Sequence, residues 1–184
     1  AVPALRLKDR GSDNPVQVQR IESADLGLEK LQDYDVILLA DVPALSTDMV
    51  ERLRMFVERG GGLMVFAGDR VDQKLYNERF GSGEDGLLPA ELGELLEFDE
   101  EAAGWTMGQV NSGHPIAGVV SRLPAKAIDT ARFTKILRSE PAAGSETILR
   151  VAELDAPLLL SHQIGAGAVL LFTTSADRSW NQFA

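Results

Sequence analysis

The stretch Asp35 to Asp72, DVILLADVPALSTDMVERLRMFVERGGGLMVFAGDRVD, joins two apolar runs through one amphipathic segment, with acids and glycine where each run stops. Val36 to Ala40 (VILLA) and Leu63 to Ala67 (LMVFA) do not alternate with polar residues. Both faces of each run are therefore expected to be covered, as in the strands of an α/β sandwich. Between them Met49, Val50, Leu53, Phe56 and Val57 recur at helical spacing, while Asp48, Glu51, Arg52, Arg54 and Glu58 take the other side. Ser46 or Thr47 can cap the start, Asp48 suits the positive end of the helix dipole, and Arg59 before Gly60-Gly61-Gly62 suits the other end. A right-handed crossover makes the two strands parallel and lays the helix on one sheet face.

Working outward, Ala4 to Lys8 reads as the tail of a helix or a short strand, and Gly11 to Pro15 as a turn. Val16 to Ile21 (VQVQRI) alternates like a strand, and Ser23 to Leu31 reads as a short helix or turn. Beyond the core unit, Gln73 to Phe80 predicts a brief helix, Gly81 to Gly86 an acidic loop, and Leu87 to Phe98 (LLPAELGELLEF) a second helix bent near Gly93. From Glu100 to Pro124 the pattern weakens, with HPIAG at 114–118 inside it. Four short β-rich segments follow: Phe133 to Arg138, Thr147 to Glu153, Leu158 to Gln163 and Ala168 to Thr174. Ile164-Gly165-Ala166-Gly167 joins the last two as a hairpin, so some antiparallel pairing is expected beside the parallel sheet.

The chain has 184 residues, 45% of them hydrophobic, enough for one domain with a sizeable core across residues 1–184. Its formal charge of −10, from 28 acidic against 18 basic residues, argues against docking on nucleic acid or an anionic membrane. No apolar run approaches the ~20 residues needed to span a bilayer, so this stretch is expected to be soluble and not to insert. There is no cysteine, which removes disulfides, thiolate catalysis and thiolate metal sites together.

The order YDVILLADVPALS, helix, GGGLMVFAGDRVD, HPIAG and then HQIGAGAVLLFTTSADRSWN resembles the class I glutamine amidotransferase-like domain of large bacterial membrane proteins. Those proteins carry an aerotolerance-type membrane-anchored N-terminal region and often a von Willebrand A domain. The order is more distantly similar to trehalose-utilisation-type domains. The resemblance covers roughly residues 16–181 and includes no catalytic motif. It implies a flavodoxin-like three-layer sandwich with a mainly parallel central sheet and a β-rich C-terminal part, excised from a larger envelope protein, with its first strand weak or missing. Neighbouring domains or other envelope proteins would be its partners, on either side of the membrane.

In active members of that family a cysteine sits on a sharp turn after a central strand, where backbone N–H groups hold an oxyanion and a histidine with a carboxylate activates the thiol. The corresponding turn here is Phe66-Ala67-Gly68-Asp69, which has no thiol, so glutamine hydrolysis by that route is excluded. His114 precedes a proline in a loop and His162 lies in a strand pattern, and neither has the family's following acid. Asp69 could serve as a nucleophile at a strand end, but it also suits a turn cap. No G-x-S-x-G elbow is present.

Asp41, Asp69, Asp72 and Asp177 all follow predicted strands, so they could line one crevice rim and hold Mg²⁺ or Ca²⁺, or stay solvated as turn formers. Gly81, Gly83 and Gly86 match G-x-G-x-x-G but follow YNERF rather than a strand, beside Glu84 and Asp85, which disqualifies them as a phosphate cradle. Ser175, Asp177, Arg178, Trp180 and Asn181 emerge after an apolar strand and could present a contact surface, or Trp180 could close the core while Asp177 and Arg178 pair or cap locally. Trp105 reads as a loop anchor packed against the sheet.

The leading expectation is a non-catalytic interaction or ligand-binding module with no resident metal or cofactor. Its candidate residues are Asp41, Gly68, Asp69, Asp72, His114, Asp177, Arg178 and Trp180. The alternatives are a hydrolase using Asp69 or a carboxylate-bound metal, and a structural spacer.

Overall fold

A computed structural model of the chain describes residues 2–7, 16–83, 85–98, 104–120, 122 and 125–182. Its strands are β1 (Val2–Leu7), β2 (Val16–Ile21), β3 (Val36–Ala40), β4 (Gly62–Phe66), β5 (Ala90–Glu97), β6 (Met107–Val110), β7 (Lys135–Pro141), β8 (Ser145–Val151), β9 (Pro157–Ile164) and β10 (Gly167–Phe172). The helices are α1 (Thr47–Glu58), α2 (Gln73–Phe80) and two short ones, α3 (Ala117–Val120) and α4 (Ala125–Thr130). The turn expected at 11–15 and the start of the weak region at 100–103 lie outside the described residues.

The β3–α1–β4 unit forms as its residues dictate. Ser46 caps α1, its Oγ accepting from the Met49 N–H at 3.3 Å. Met49, Val50, Leu53, Phe56 and Val57 are all buried against the sheet. Gly60 takes φ 109°, which ends the helix at little steric cost, and a Cβ on Gly61 would stand 2.3 Å from the Phe56 ring. β4 then pairs parallel to β3, from Val36 opposite Gly62 to Ala40 opposite Phe66.

The sheet as a whole corrects the flavodoxin-like expectation. Eight strands run in the order β2-β1-β3-β4-β10-β9-β8-β6, and β5 with β7 forms a separate pair. Only β3–β4 and β4–β10 are parallel; β1–β2, β1–β3, β10–β9, β9–β8, β8–β6 and β5–β7 are antiparallel. The fold is a strand-rich, mixed α/β domain built on a mostly antiparallel sheet. Antiparallel pairing extends beyond the expected hairpin to β1, β2, β8 and β6 and confines the parallel part to β3, β4 and β10; in the hairpin itself, β9 turns into β10 through Gly165-Ala166 alone. So short a link permits only an antiparallel partner.

Leu87 to Phe98 is likewise no helix, since Ala90–Glu97 is β5. Its ladder with β7 slips between Leu92 and Leu95, a bulge at Gly93-Glu94 where a Cβ on Gly93 would lie 3.1 Å from the Arg138 carbonyl. The extra residue shifts the apolar positions from period two to the spacing Leu92, Leu95, Leu96, which imitates a helical face. Asn77 of α2 fixes this strand with its amide: Nδ2 donates to the Leu92 carbonyl at 2.7 Å and Oδ1 accepts from the Leu92 N–H at 2.8 Å.

The two sheet faces are covered unequally, contrary to the expectation that both are fully buried. Ile37, Leu39, Leu63, Val65, Val169 and Leu171 point into a large core with α1, α2 and Leu88, Ala90 and Leu92 around β5. Val36, Leu38, Met64, Phe66, Leu170 and Phe172 point the other way and are only half-buried. A second core there sets Trp105, Ala117, Ala131 and Phe133 against Leu149 of β8 and Leu158 and Leu159 of β9, and the described helices between Trp105 and Phe133 have only four and six residues. Trp105 bridges to Phe133 and meets Phe98 edge-on at 5.1 Å.

Candidate functional site

The ends of the parallel strands are where a ligand crevice would be sought, and the protein's own groups fill them. Asp41 leaves β3 with φ 49°, a left-handed conformation that aspartate tolerates better than most residues. This turns its carboxylate onto the Cα of Gly68, where an added Cβ would lie 2.3 Å from Oδ1. Arg70 closes over it: its N–H donates to Asp41 Oδ1 at 2.8 Å, its Nε to Oδ2 at 3.0 Å, and its guanidinium to the Asp41 carbonyl at 2.6 Å. Asp69 accepts from the indole N–H of Trp180 at 3.0 Å across 111 positions of sequence. Trp180 is buried in the main core.

The remaining candidate residues also engage locally. Asp72 caps α2, accepting from the Leu75 N–H at 2.9 Å. Asp177 accepts from the Ser179 hydroxyl and from its N–H, and these bonds hold its carboxyl below the usual range. Arg178 is exposed on the same loop. The structure thus brings Asp41 to Gly68 and Asp69 to Trp180, while Asp72, His114 and Asp177 make their hydrogen bonds to other partners. Among the described residues no three His, Asp or Glu side chains group so as to hold a metal ion.

His114 makes a contact that its sequence position did not announce. Its Nε2 lies 3.0 Å from Ser161 Oγ, while its Nδ1 accepts from the Ile116 N–H at 3.2 Å. A serine–histidine pair invites a hydrolytic reading, and the tautomer decides against it. With Nδ1 holding a lone pair toward Ile116, the neutral ring carries its proton on Nε2 and donates to serine. A general base needs the reverse. His162, one residue along β9, faces the opposite core, where burial holds its imidazole below its ordinary pKa. Its Nδ1 is buried without a hydrogen-bond partner among the described residues.

The space that remains lies behind the sheet. Met64, Phe66, Leu170 and Phe172 of the parallel strands and Leu149 and Leu159 of the neighbouring ones wall an apolar cavity of about 380 Å³. Phe66 and Phe172 stack with ring centroids 4.8 Å apart. Residues 104–133 contribute Met107, Ile116 and Phe133. The loop after β10 closes one end through Thr174, Ser175, Ala176 and Asn181.

The hydroxyl and amide donors at that end are already committed. Thr174 Oγ1 donates to the Lys135 carbonyl at 3.1 Å, Ser175 Oγ to the Asp177 carbonyl at 3.0 Å, and Asn181 Nδ2 to the Ser175 carbonyl at 2.8 Å. A wider cleft of about 540 Å³ sits where β3 and β4 begin, but it is open and charged. There Arg52 is spent on the carbonyls of Gly27 and Glu29, and the Glu29 carboxylate accepts from Tyr34.

No family model matches the sequence, and no curated protein matches it. Solved structures do share the fold. The cytoplasmic protein STM3548 from Salmonella typhimurium superposes with a TM-score of 0.63 at 15% identity, over 97% of this chain and 85% of that one. STM1381 from Salmonella typhimurium LT2 gives 0.55 at 14% identity, over 97% and 86%. A β-galactosidase from Rahnella sp. R3 gives 0.55 at 16% identity, over 83% of this chain but 22% of that enzyme. At such identities the likeness is one of fold alone, and none of these neighbours points to an amidotransferase-like domain.

The cavity residues were in plain view in the sequence. Met64 and Phe66 are alternate positions of an apolar run expected to be covered on both faces, and Leu170 and Phe172 are alternate positions of the β-rich segment Ala168 to Thr174. Thr174, Ser175 and Asn181 belong to the TTSADRSWN segment, where the sequence offers Ser175 and Asn181 beside Asp177, Arg178 and Trp180 as a contact surface, not as a cavity wall. The signal was an apolar second face followed by too few long helices to cover it.

Proposed function

We propose that this domain is a non-catalytic ligand-binding module whose site is the apolar cavity behind β4, β10 and β9. The observation that carries the reading is the cavity itself: about 380 Å³ within an apolar wall, partly open to solvent at Val119 and within the size range of small-molecule sites. The non-catalytic part rests on Asp69 being held by Trp180 and on His114 presenting a proton, not a lone pair, to Ser161. Membership of a larger membrane-anchored bacterial protein is supported by the sequence resemblance; among the described residues no helix is long and apolar enough to cross a membrane. Sequencing the flanking gene for hydrophobic segments tests that placement.

Binding is tested by thermal unfolding across a panel of apolar, polar and ionic small molecules, because a ligand that binds only the folded state raises the melting temperature. At least one apolar compound should raise it, and the rise should shrink in Leu159→Phe, which narrows the cavity. A panel-wide flat response would remove the ligand-binding role.

A further inference from the structure

Resting on the reading of the cavity as a ligand site, we infer that its ligand is a neutral, apolar molecule of about two rings. The charge of the lining decides the first part. Among the described residues, none of the side chains that wall the cavity is ionisable. A carboxylate or phosphate placed there would lose its hydration with no lysine or arginine to replace it. The end at Thr174 to Ala176 is adjacent to Asp177, whose hydrogen bonds keep it ionised, and the whole chain carries a formal charge of −10. An anion is opposed locally and globally, and a cation finds no carboxylate among the described residues of the wall.

Hydrogen bonding decides the second part. The Thr174 and Ser175 hydroxyls and the Asn181 amide all donate within the protein, so a strongly polar ligand would leave its own groups unsatisfied. What the wall offers is apolar contact: the stacked Phe66 and Phe172 rings, four leucines, and the soft thioethers of Met64 and Met107. Size follows by proportion, since an apolar cavity of about 150 Å³ takes one benzene ring and this one is more than twice as large. A second copy of the chain is a poor occupant, because two bodies of charge −10 repel.

The four methionines supply the test. Met64 and Met107 line the cavity, Met49 is buried beneath α1, and Met55 is exposed at the other cleft. In the methionine-methyl NMR spectrum of the full chain, 2-naphthol should move the Met64 and Met107 signals and leave Met49 and Met55 in place. The matched anion 2-naphthoate should bind weaker by about tenfold or more. Equal or tighter binding of 2-naphthoate would overturn the neutral class while leaving the cavity as a ligand site. No movement of Met64 or Met107 with either probe would end the cavity reading and this inference with it. Shifts of those two signals on concentrating the protein alone, with a doubled mass in solution, would overturn the small-molecule occupant in favour of a second copy.

Discussion

The two faces of the central sheet are made of the same kind of residue and end in different states. On one, Ile37, Leu39, Leu63 and Val65 are sealed by α1 and its neighbours; on the other, Met64, Phe66, Leu170 and Phe172 are half-buried around open space. What differs is the cover. A twelve-residue helix brings five buried side chains at regular spacing, whereas the described residues of 104–133 bring two short helices and single anchors such as Trp105 and Phe133. Apolar surface is a requirement for burial and does not by itself supply the partner that completes it.

The contrast can be broken most directly by truncation. Leu53→Ala, beneath α1, should cost about 2–5 kcal/mol in urea unfolding, while Leu170→Ala on the cavity wall should cost about half as much, because fewer packed neighbours are lost. Equal losses would mean that the cavity closes up in solution. Trp180→Phe removes both buried volume and the indole donor to Asp69, and should cost about 2–4 kcal/mol. Asp69→Asn keeps an acceptor and should cost about 1 kcal/mol or less, so equal losses in the two variants would show that the carboxylate contact, and not the buried indole volume, carries the effect.

Gly68→Ala tests how tightly the strand ends are latched. A methyl there collides with Asp41, so a loss of about 1–3 kcal/mol is expected. Adding Asp41→Ala should recover part of it, a non-additivity that two independent sites would not show.

The smallest effect separates the faces by pH. Ser161 and His162 are adjacent on β9 and point to opposite sides, toward His114 and the main core respectively. Burial lowers the His162 pKa in the folded state, so its contribution to stability is fully present above the unfolded-state value of about 6.5 and is lost as the pH falls through it. Stability measured from pH 8 to pH 5 should therefore decline on acidification, and less steeply in His162→Gln. An unchanged slope in that variant would place the titration elsewhere.

Much of the first face was legible. Ser46, the Met49 to Val57 stripe and Gly60 specify α1 within a dozen residues, so local rules suffice. β5 was not legible, because a one-residue bulge at Gly93-Glu94 gave a strand the spacing of a helix. The candidate site was legible only in part. The sequence placed acids at strand ends, but Asp69 meets Trp180 across 111 positions and His114 meets Ser161 across 47. No local pattern encodes such pairs.

By itself, then, the chain determined the strand, helix, strand unit, the hairpin at Gly165-Ala166, and the impossibility of thiolate chemistry, since each follows from neighbouring residues or from composition. Tertiary structure alone decided that most strands pair antiparallel, that the strand-end acids are consumed internally, and that one apolar face is left with a cavity. Those outcomes depend on which distant segments meet, and loop closure and packing choose among partners that the local sequence leaves equivalent.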